Sequence, residues 1–214
     1  MKSKDNEGCS VSEKQTADNS TLEYYSRNAA DFVSSTRQAD FSAVQNRFLS
    51  LLDHKGEILD LGCGSGRDTR AFLDAGYTVR AVDGCPAMAQ LACSYLGMPV
   101  DTMDFEDLID QERYEGIWAC ASLLHVPCTK LPTIFAKVYQ ALKTGGIFYC
   151  SFKLGNFEGV RNGRYFTDLD ACSLQELLQA GGRWKVEDVW ISEDVRPDHT
   201  DEKWINGLFR KTEL

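Results

Sequence analysis

The sequence has no run of apolar residues long enough to cross a bilayer, and residues 1–20 lack the apolar segment of a signal peptide. It also has no excess of basic residues, since 23 Lys and Arg stand against 32 Asp and Glu and give a formal net charge of −9. Broad binding to nucleic acid depends on basic surfaces. We therefore expect no membrane partner and disfavour a nucleic-acid partner.

The 8 cysteines form no Cys-x-x-Cys pair, and no histidine stands at a zinc-finger distance from them. We therefore predict no metal site. Several cysteines lie in apolar stretches, where a free thiol behaves as a small hydrophobe. Free thiols fit a reducing compartment, so we expect a cytoplasmic protein.

A chain of 214 residues with 43% hydrophobic and 11% aromatic residues can build the core of one α/β domain. Residues 1–20 are rich in Ser, Lys, Asp, Asn and Glu and have no apolar periodicity, which predicts a mobile tail. Residues 21–214 are predicted to form a single domain without internal repeats.

The most informative stretch runs from Asp60 through Gly62-Cys63-Gly64-Ser65-Gly66 and follows a predicted buried strand, Glu57–Leu61. Glycines at alternate positions permit positive φ angles and close approach of a ligand. A helix predicted from about Arg67 adds unpaired N–H groups and the positive end of its dipole, and Asp60 leaves a carboxylate at the rim. Dinucleotide sites have a third glycine where Arg67 stands. We therefore expect a nucleoside ligand that carries an ammonium or sulfonium group instead of a pyrophosphate.

A second strand, predicted over residues 78–82, ends at Asp83, about 20 residues beyond the glycine turn. An acidic residue at this place can hydrogen-bond the two hydroxyls of a ribose. The alternative is that Asp83 caps the next predicted helix, Pro86–Leu96. If the ribose lies there, Gly84 and Met88 would be near the ribose and the base.

The remaining pattern alternates strands with helices and then places two strands in succession. This order predicts a doubly wound α/β fold in which the most apolar strand, residues 116–121, lies at the centre of the sheet. Ligands of such sheets bind beyond the carboxyl ends of the strands, where the strand order reverses. The further predicted strands cover residues 99–103, 147–152, 185–191 and 204–211, and the further helices cover residues 131–142 and 173–180.

The acidic residue followed by Gly-x-Gly-x-Gly, with Asp83 and the pair Asp104-Phe105 downstream, resembles the class I S-adenosylmethionine (SAM) methyltransferases. Within them the chain is most similar to small single-domain enzymes near the tellurite-resistance and type 11 group. The resemblance implies a Rossmann-like, mostly parallel seven-stranded sheet with one antiparallel strand near the C-terminus. It also implies that a methyl group passes from SAM to a small-molecule acceptor and that S-adenosylhomocysteine (SAH) is released.

The resemblance implies a role for each part of the cofactor site. The glycine turn would hold the methionine part, Asp83 the ribose, and Asp104 with Phe105 the adenine. The cofactor contacts predicted in this way are Asp60, Gly62, Cys63, Gly64, Gly66, Arg67, Asp83, Gly84, Met88, Asp104, Phe105, Ala121, Ser122 and Leu123.

The predicted catalytic residues are His125, which follows the central strand, and Tyr25, in a segment (residues 24–32) that forms a lid in similar enzymes. Two alternatives stay open: His125 only caps or packs a helix start, and the tyrosines only pack a helix on the sheet. Two alternatives also stay open for the cationic loop after residue 152. Either it binds an anionic substrate, or it is a hairpin whose charges are only solvated. The predicted acceptor contacts are Tyr24, Tyr25, His125, Lys153, Arg164 and Arg196.

The chain lacks the [DNS]-P-P-[YFW] tetrapeptide typical of enzymes that methylate amino groups of DNA bases or glutamine, because residues 121–124 read Ala-Ser-Leu-Leu. A small-molecule acceptor is therefore favoured over a protein or RNA, and the enzyme is expected to be a monomer or homodimer. Two further alternatives are a SAM-binding sensor or scaffold without catalysis and a nicotinamide-dependent oxidoreductase. Arg67 in the third-glycine position counts against the latter.

Overall fold

The computed structural model describes residues 11–196 and 201–213, with the backbone alone for residues 11–19. Short 3₁₀ turns cover Phe105–Asp107 and Leu123–His125. The helices are α1 (Val11–Thr36), α2 (Ser42–Leu49), α3 (Arg67–Asp74), α4 (Pro86–Leu96), α5 (Leu131–Ala141) and α6 (Ala171–Gly181). The strands are β1 (Glu57–Leu61), β2 (Thr78–Asp83), β3 (Asp101–Thr102), β4 (Tyr114–Ala119), β5 (Leu142–Lys153), β6 (Glu158–Arg161), β7 (Arg164–Thr167), β8 (Trp184–Glu193) and β9 (Lys203–Lys211).

The main sheet has the strand order β3-β2-β1-β4-β5-β9-β8. Strands β1 to β5 are parallel, whereas β9 is antiparallel to both β5 and β8. The predicted mostly parallel seven-stranded sheet with one antiparallel strand is therefore confirmed. The strand order reverses between β1 and β4, so a ligand crevice is expected at the carboxyl ends of these two strands.

The central strands are fixed by helices packed on both faces of the sheet. On one face, Phe48 of α2 and Phe72 of α3 lie 5.1 and 5.2 Å from the ring of Trp118 on β4. On the other face, Ile117 packs in a cluster with residues of α5 and α6, and all four of these side chains are buried. Burial on both faces explains the continuous apolar run that predicted the centre of the sheet.

Helix α1 is longer than the sequence pattern suggested. It begins at Val11, within the segment predicted as a tail, while residues 1–10 lie outside the described part of the chain. Glu13, Lys14 and Gln15 are good helix formers, so a polar composition by itself does not separate a tail from a helix. The predicted boundary between a tail and a domain at residue 20 stays a prediction.

Two other elements differ from expectation. Strand β3 covers only Asp101–Thr102 instead of residues 99–103, since Pro99 has no N–H to donate to a neighbouring strand. The cationic loop after β5 contains the hairpin β6–β7, whose strands pair only with each other. Among the described helices, none combines the length and apolar character that spanning a bilayer requires.

Candidate functional site

The glycine turn at the end of β1 is a cradle of bare backbone. Gly62, Gly64 and Gly66 have φ angles of +87°, +54° and +78°, which favour glycine. A Cβ atom on Gly62 would lie 2.4 Å from the Cβ of Ser122, so no other residue fits there without displacing the segment after β4. The turn therefore presents main chain to the crevice.

Asp83 is bound to the same turn through its carboxylate. The Gly64 N–H donates to Oδ2 at 2.9 Å, and the Cys85 N–H donates to Oδ1 at 2.8 Å. Burial raises the pKa of Asp83, and these two hydrogen bonds oppose the rise. Cys85 immediately precedes α4, so the carboxylate orders the start of that helix. It lines the cavity as well, and each oxygen retains a lone pair for a further donor.

Asp60 lies behind the turn instead of on the cavity wall. Its carboxylate is 2% exposed and accepts a hydrogen bond of 2.5 Å from the Thr69 hydroxyl. Burial, together with the neighbouring Asp68 carboxylate, raises the pKa of Asp60 to about 8. Its predicted contact with the methionine part of the cofactor stays a prediction.

Arg67, in the position of the third glycine, forms a fork-like pair with Asp68 at 2.8 and 2.9 Å. Asp68 also accepts hydrogen bonds from Gln45 of α2 at 2.6 Å and from the Trp118 indole at 2.9 Å. Burial alone would raise the pKa of Asp68, but Arg67 and these donors lower it. The network joins α2, α3 and β4, which is a role for Asp68 that the sequence reasoning missed.

The expected adenine side is built from the segment after β3. Asp104 starts the first 3₁₀ turn, where its Oδ1 accepts the Glu106 N–H at 3.0 Å. Asp104, Phe105, Gly84 and Met88 all line the cavity. Their predicted contacts with the base and the ribose stay predictions that this arrangement supports.

The segment after β4 turns sharply into the crevice. Ala121 has a φ of +50°, and its N–H donates to the Ser151 hydroxyl at 2.9 Å, while the Ser122 hydroxyl donates to Leu61 O at 2.7 Å. Ala121 and Ser122 line the cavity. Leu123, predicted to contact the cofactor, instead lies fully buried in the core.

Tyr25 of α1 and His125 meet inside the cavity. The Tyr25 hydroxyl lies 2.9 Å from His125 Nε2, and His125 Nδ1 lies 2.6 Å from Tyr165 O. A carbonyl oxygen only accepts, so Nδ1 carries the proton and Nε2 accepts from Tyr25. Burial lowers the pKa of His125 to about 4. The imidazole is therefore neutral near pH 7 and has no free lone pair in this arrangement.

The predicted acceptor contacts divide into two groups. Lys153, Arg164 and Arg196 line the cavity together with Tyr25 and His125. Tyr24 lies off the cavity wall, beneath the Arg164 guanidinium at 4.6 Å from its ring centre. Sequence reasoning did not predict Arg161, Phe166 or Asp194 on this wall. Arg161 and Phe166 belong to the cationic and aromatic stretch that the sequence analysis already singled out, whereas no sequence pattern indicated Asp194.

One cavity of about 330 Å³ joins the two halves of the site. Its floor comes from the loops after β1, β2, β3 and β4, and its cover comes from α1 and the β6–β7 hairpin. Thr21 of α1 accepts the Tyr165 N–H at 2.9 Å, and Arg37 donates to Ser65 O at 3.1 Å. The first bond joins the two parts of the cover to each other, and the second joins the residue that follows α1 to the glycine turn of the floor.

The residues present fit a SAM molecule. The glycine turn leaves space that a Cβ atom would fill, and the partly buried Asp83 carboxylate can accept both hydroxyls of a ribose. Within the described part of the chain, no group of three or more His, Cys, Asp or Glu side chains is placed to hold a metal ion.

Comparisons with known proteins agree with this geometry. Residues 58–146 match the family model of a methyltransferase domain. The chain is 32% identical over 95 residues to hemagglutinin 1 of Eikenella corrodens, covering 42% of this chain and 32% of that protein. It is 28% identical over 134 residues to the 18S rRNA (guanine-N(7))-methyltransferase bud23 of Schizosaccharomyces pombe, covering 55% of this chain and 50% of that one. It thus spans a third to a half of the length of these curated relatives.

A solved structure extends the likeness to nearly the whole chain. The 1,6-didemethyltoxoflavin-N1-methyltransferase of Burkholderia thailandensis, crystallised with 1,6-didemethyltoxoflavin and SAH, superimposes with a TM-score of 0.78. The match covers 96% of this chain and 93% of that chain at 22% sequence identity. Residues 58–146 therefore match a methyltransferase domain, and the chain has the class I fold of the SAM-dependent methyltransferases.

Proposed function

We propose that this chain transfers the methyl group of SAM to a small-molecule acceptor and releases SAH. The observation that carries the proposal is the single cavity, which joins the glycine turn and Asp83 to Tyr25, His125 and Arg164. When bound, SAM supplies a methyl group already activated on a sulfonium. The chain then has to bind, orient and shield the two reactants, and alignment alone supplies a large rate factor.

Within this proposal His125 positions Tyr25 instead of removing a proton. A base with a pKa of about 4 is weak at neutral pH, and its Nε2 lone pair already accepts the Tyr25 hydroxyl. Burial raises the pKa of Tyr25, so its hydroxyl stays protonated and donates. The pair fixes α1 above the point where the two halves of the cavity meet.

The covered cavity favours a small acceptor over a macromolecule. Helix α1 and the β6–β7 hairpin are hydrogen-bonded to each other over the cavity through Thr21 and Tyr165. The 1,6-didemethyltoxoflavin-N1-methyltransferase, a chain of similar fold, was crystallised with bound 1,6-didemethyltoxoflavin. Methylation of RNA is the second candidate, because bud23 is named as an rRNA methyltransferase. The net charge of −9 counts against it.

The test uses SAM with a labelled methyl group and three cell-extract fractions: ultrafiltered small molecules, total RNA and protein. We expect label to enter the small-molecule fraction and to depend on the purified chain. Label in RNA alone would overturn the small-molecule acceptor. Absence of SAH binding by calorimetry would overturn the function itself, and NADH binding would favour an oxidoreductase.

The monomeric or homodimeric state and the cytoplasmic location stay predictions.

A further inference from the structure

The cationic side chains that line the cavity are almost all neutralised by a carboxylate within the chain. The pairs are Arg67 with Asp68, Lys130 with Glu106, Lys153 with Glu202, Arg161 with Asp168 and Arg196 with Asp194. The pairs of Arg161 and Arg196 are fork-like, with both oxygens of the carboxylate engaged. Recruiting any of these cations to a ligand would leave its carboxylate without this cationic partner.

Arg164 is the exception. Among the described residues it has no carboxylate partner, and its Nε atom is buried without a hydrogen-bond acceptor. Its shortest polar contact runs from Nη1 to the Tyr25 hydroxyl at 3.4 Å. A buried donor of a charged group without an acceptor is costly and rare in folded proteins. The arrangement is therefore incomplete without an acceptor group from outside the chain.

The surroundings of Arg164 are aromatic. Its guanidinium lies 4.6 Å from the ring centre of Tyr24 and 5.1 Å from that of Phe166. These contacts hold the guanidinium plane in place and leave its N–H edge for a planar partner. Tyr25 and Phe166 also line the cavity, so a flat ring can lie against them.

We propose that Arg164 binds an oxyanion of the acceptor, which is a small aromatic or conjugated acid with a carboxylate or an equivalent ionised oxygen. The proposal rests on the proposed function and names its substrate class. A guanidinium binds a carboxylate through two parallel N–H···O bonds. Neither neutral His125 nor the protonated Tyr25 hydroxyl supplies a charge for such a group, so Arg164 alone confers the preference for an anion.

The test measures binding of benzoate, salicylate and anthranilate, each against its primary amide, to protein saturated with SAH, by ligand-observed NMR. We expect at least one acid to bind roughly tenfold or more tightly than its amide, the ratio that a charge-assisted hydrogen-bonded pair produces. Arg164→Met should abolish the preference, and Arg164→Lys should restore part of it. The matched control is Arg27→Met on α1, whose side chain is 77% exposed and which should keep the preference.

Binding of SAH by each variant shows that the variant has folded and that the cofactor half is intact. The proposal is overturned when no acid binds more tightly than its amide to the wild-type protein, or when the preference survives in Arg164→Met. Both outcomes leave SAH binding and the proposed function untouched. Loss of SAH binding in the wild-type protein would instead reject the proposed function.

Discussion

In the proposed cofactor site, Asp83 is the residue on which we expect binding to depend most directly. Its two carboxylate oxygens are held by the N–H groups of Gly64 and Cys85, so they face the cavity in a fixed orientation. Preorganised acceptors lose little entropy when a ligand hydroxyl arrives. This explains why one short side chain can decide the affinity for a nucleoside.

We predict that Asp83→Asn weakens binding of SAH by roughly 10- to 150-fold, the range for hydrogen bonds to a charged group. Asparagine keeps one oxygen acceptor but replaces the other with an amide donor, which repels a backbone N–H or a ribose hydroxyl. Isothermal titration calorimetry measures the change. The control is Asp74→Asn at the end of α3, where the side chain is 66% exposed. Equal affinities of wild type and Asp83→Asn would contradict the ribose assignment.

His125 predicts a dependence of stability on pH. Its pKa is about 4 in the folded chain and near 6.5 in the unfolded chain. Between these values the unfolded chain binds more protons, so the free energy of unfolding falls as the pH falls from about 6.5 towards 4, by at most roughly 1.4 kcal/mol per pH unit. Above about pH 6.5 this contribution is constant.

The measurement compares urea unfolding at about pH 7 and about pH 5 for wild type, His125→Gln and His54→Gln. We expect His125→Gln to lose stability less steeply on acidification than the wild type does, while the exposed His54 variant follows the wild type. Asp60, with its raised pKa of about 8, opposes the trend equally in all three proteins. Parallel pH profiles for wild type and His125→Gln would contradict the burial of a neutral imidazole.

At the scale of elements, the turn between β1 and α3 is held by steric fit as well as by glycine's freedom. Gly62 and Gly145 both have positive φ angles, +87° and +83°. A Cβ on Gly62 would strike Ser122, whereas nothing lies within 4 Å of a Cβ on Gly145. The two glycines therefore separate the cost of the backbone conformation from the cost of the collision.

We predict that Gly145→Ala lowers the free energy of unfolding by about 1–2 kcal/mol, the cost of a left-handed residue with a Cβ atom. Gly62→Ala should cost at least about 1 kcal/mol more, because overpacking adds to the strain. Urea denaturation measures both, and SAH titration should show lost affinity for Gly62→Ala alone. An equal loss of stability in the two variants would show that the segment after β4 can move away from the added Cβ atom without a measurable cost.

Local patterns predicted the elements whose signal lies within one short stretch of sequence. The Gly-x-Gly-x-Gly turn, the acidic end of β2 and the apolar β4 each stand in a short stretch, and the structure forms them there. Asp60 lies off the cavity wall, and its carboxylate accepts a hydrogen bond from the hydroxyl of Thr69 on α3. Whether a side chain at a strand end faces the ligand or the helix depends on such contacts.

The acceptor side was harder to predict, because its pairs join distant parts of the chain. Tyr25 meets His125 across 100 positions, and Thr21 meets Tyr165 across 144. The sequence marked the cationic loop as functional but did not show that Arg161 is neutralised by Asp168 while Arg164 is left without a carboxylate. The difference lies in Asp168, which follows β7 and accepts hydrogen bonds from both Nη atoms of Arg161.

For the whole molecule, a ligand in the cavity would contact both its cover and its floor, so binding should stabilise both together. We predict that SAH at about 100 times its dissociation constant raises the free energy of unfolding by about 2.7 kcal/mol. Hydrogen exchange should slow in the glycine turn, in α1 and in β6–β7 together, because these elements enclose one cavity. Helix α6, which contributes no residue to the cavity wall, should change little.

Asp83→Asn serves as the control for this exchange experiment, since at the same SAH concentration its weaker binding should reduce the stabilisation to about 0.3–1.4 kcal/mol. Protection confined to the floor, with α1 unaffected, would contradict the assignment of α1 as a cover that closes on the bound cofactor. Protection spread evenly over the chain would show that SAH stabilises the whole fold and does not act specifically on the cover.

The β6–β7 hairpin pairs with no strand of the main sheet, yet it carries Arg161, Arg164 and Phe166 into the cavity. Substitutions in this hairpin can therefore change the side chains offered to an acceptor while the strands that carry the glycine turn and Asp83 keep their pairing. Exchanging the hairpin as a unit is accordingly a direct route to an altered choice of acceptor.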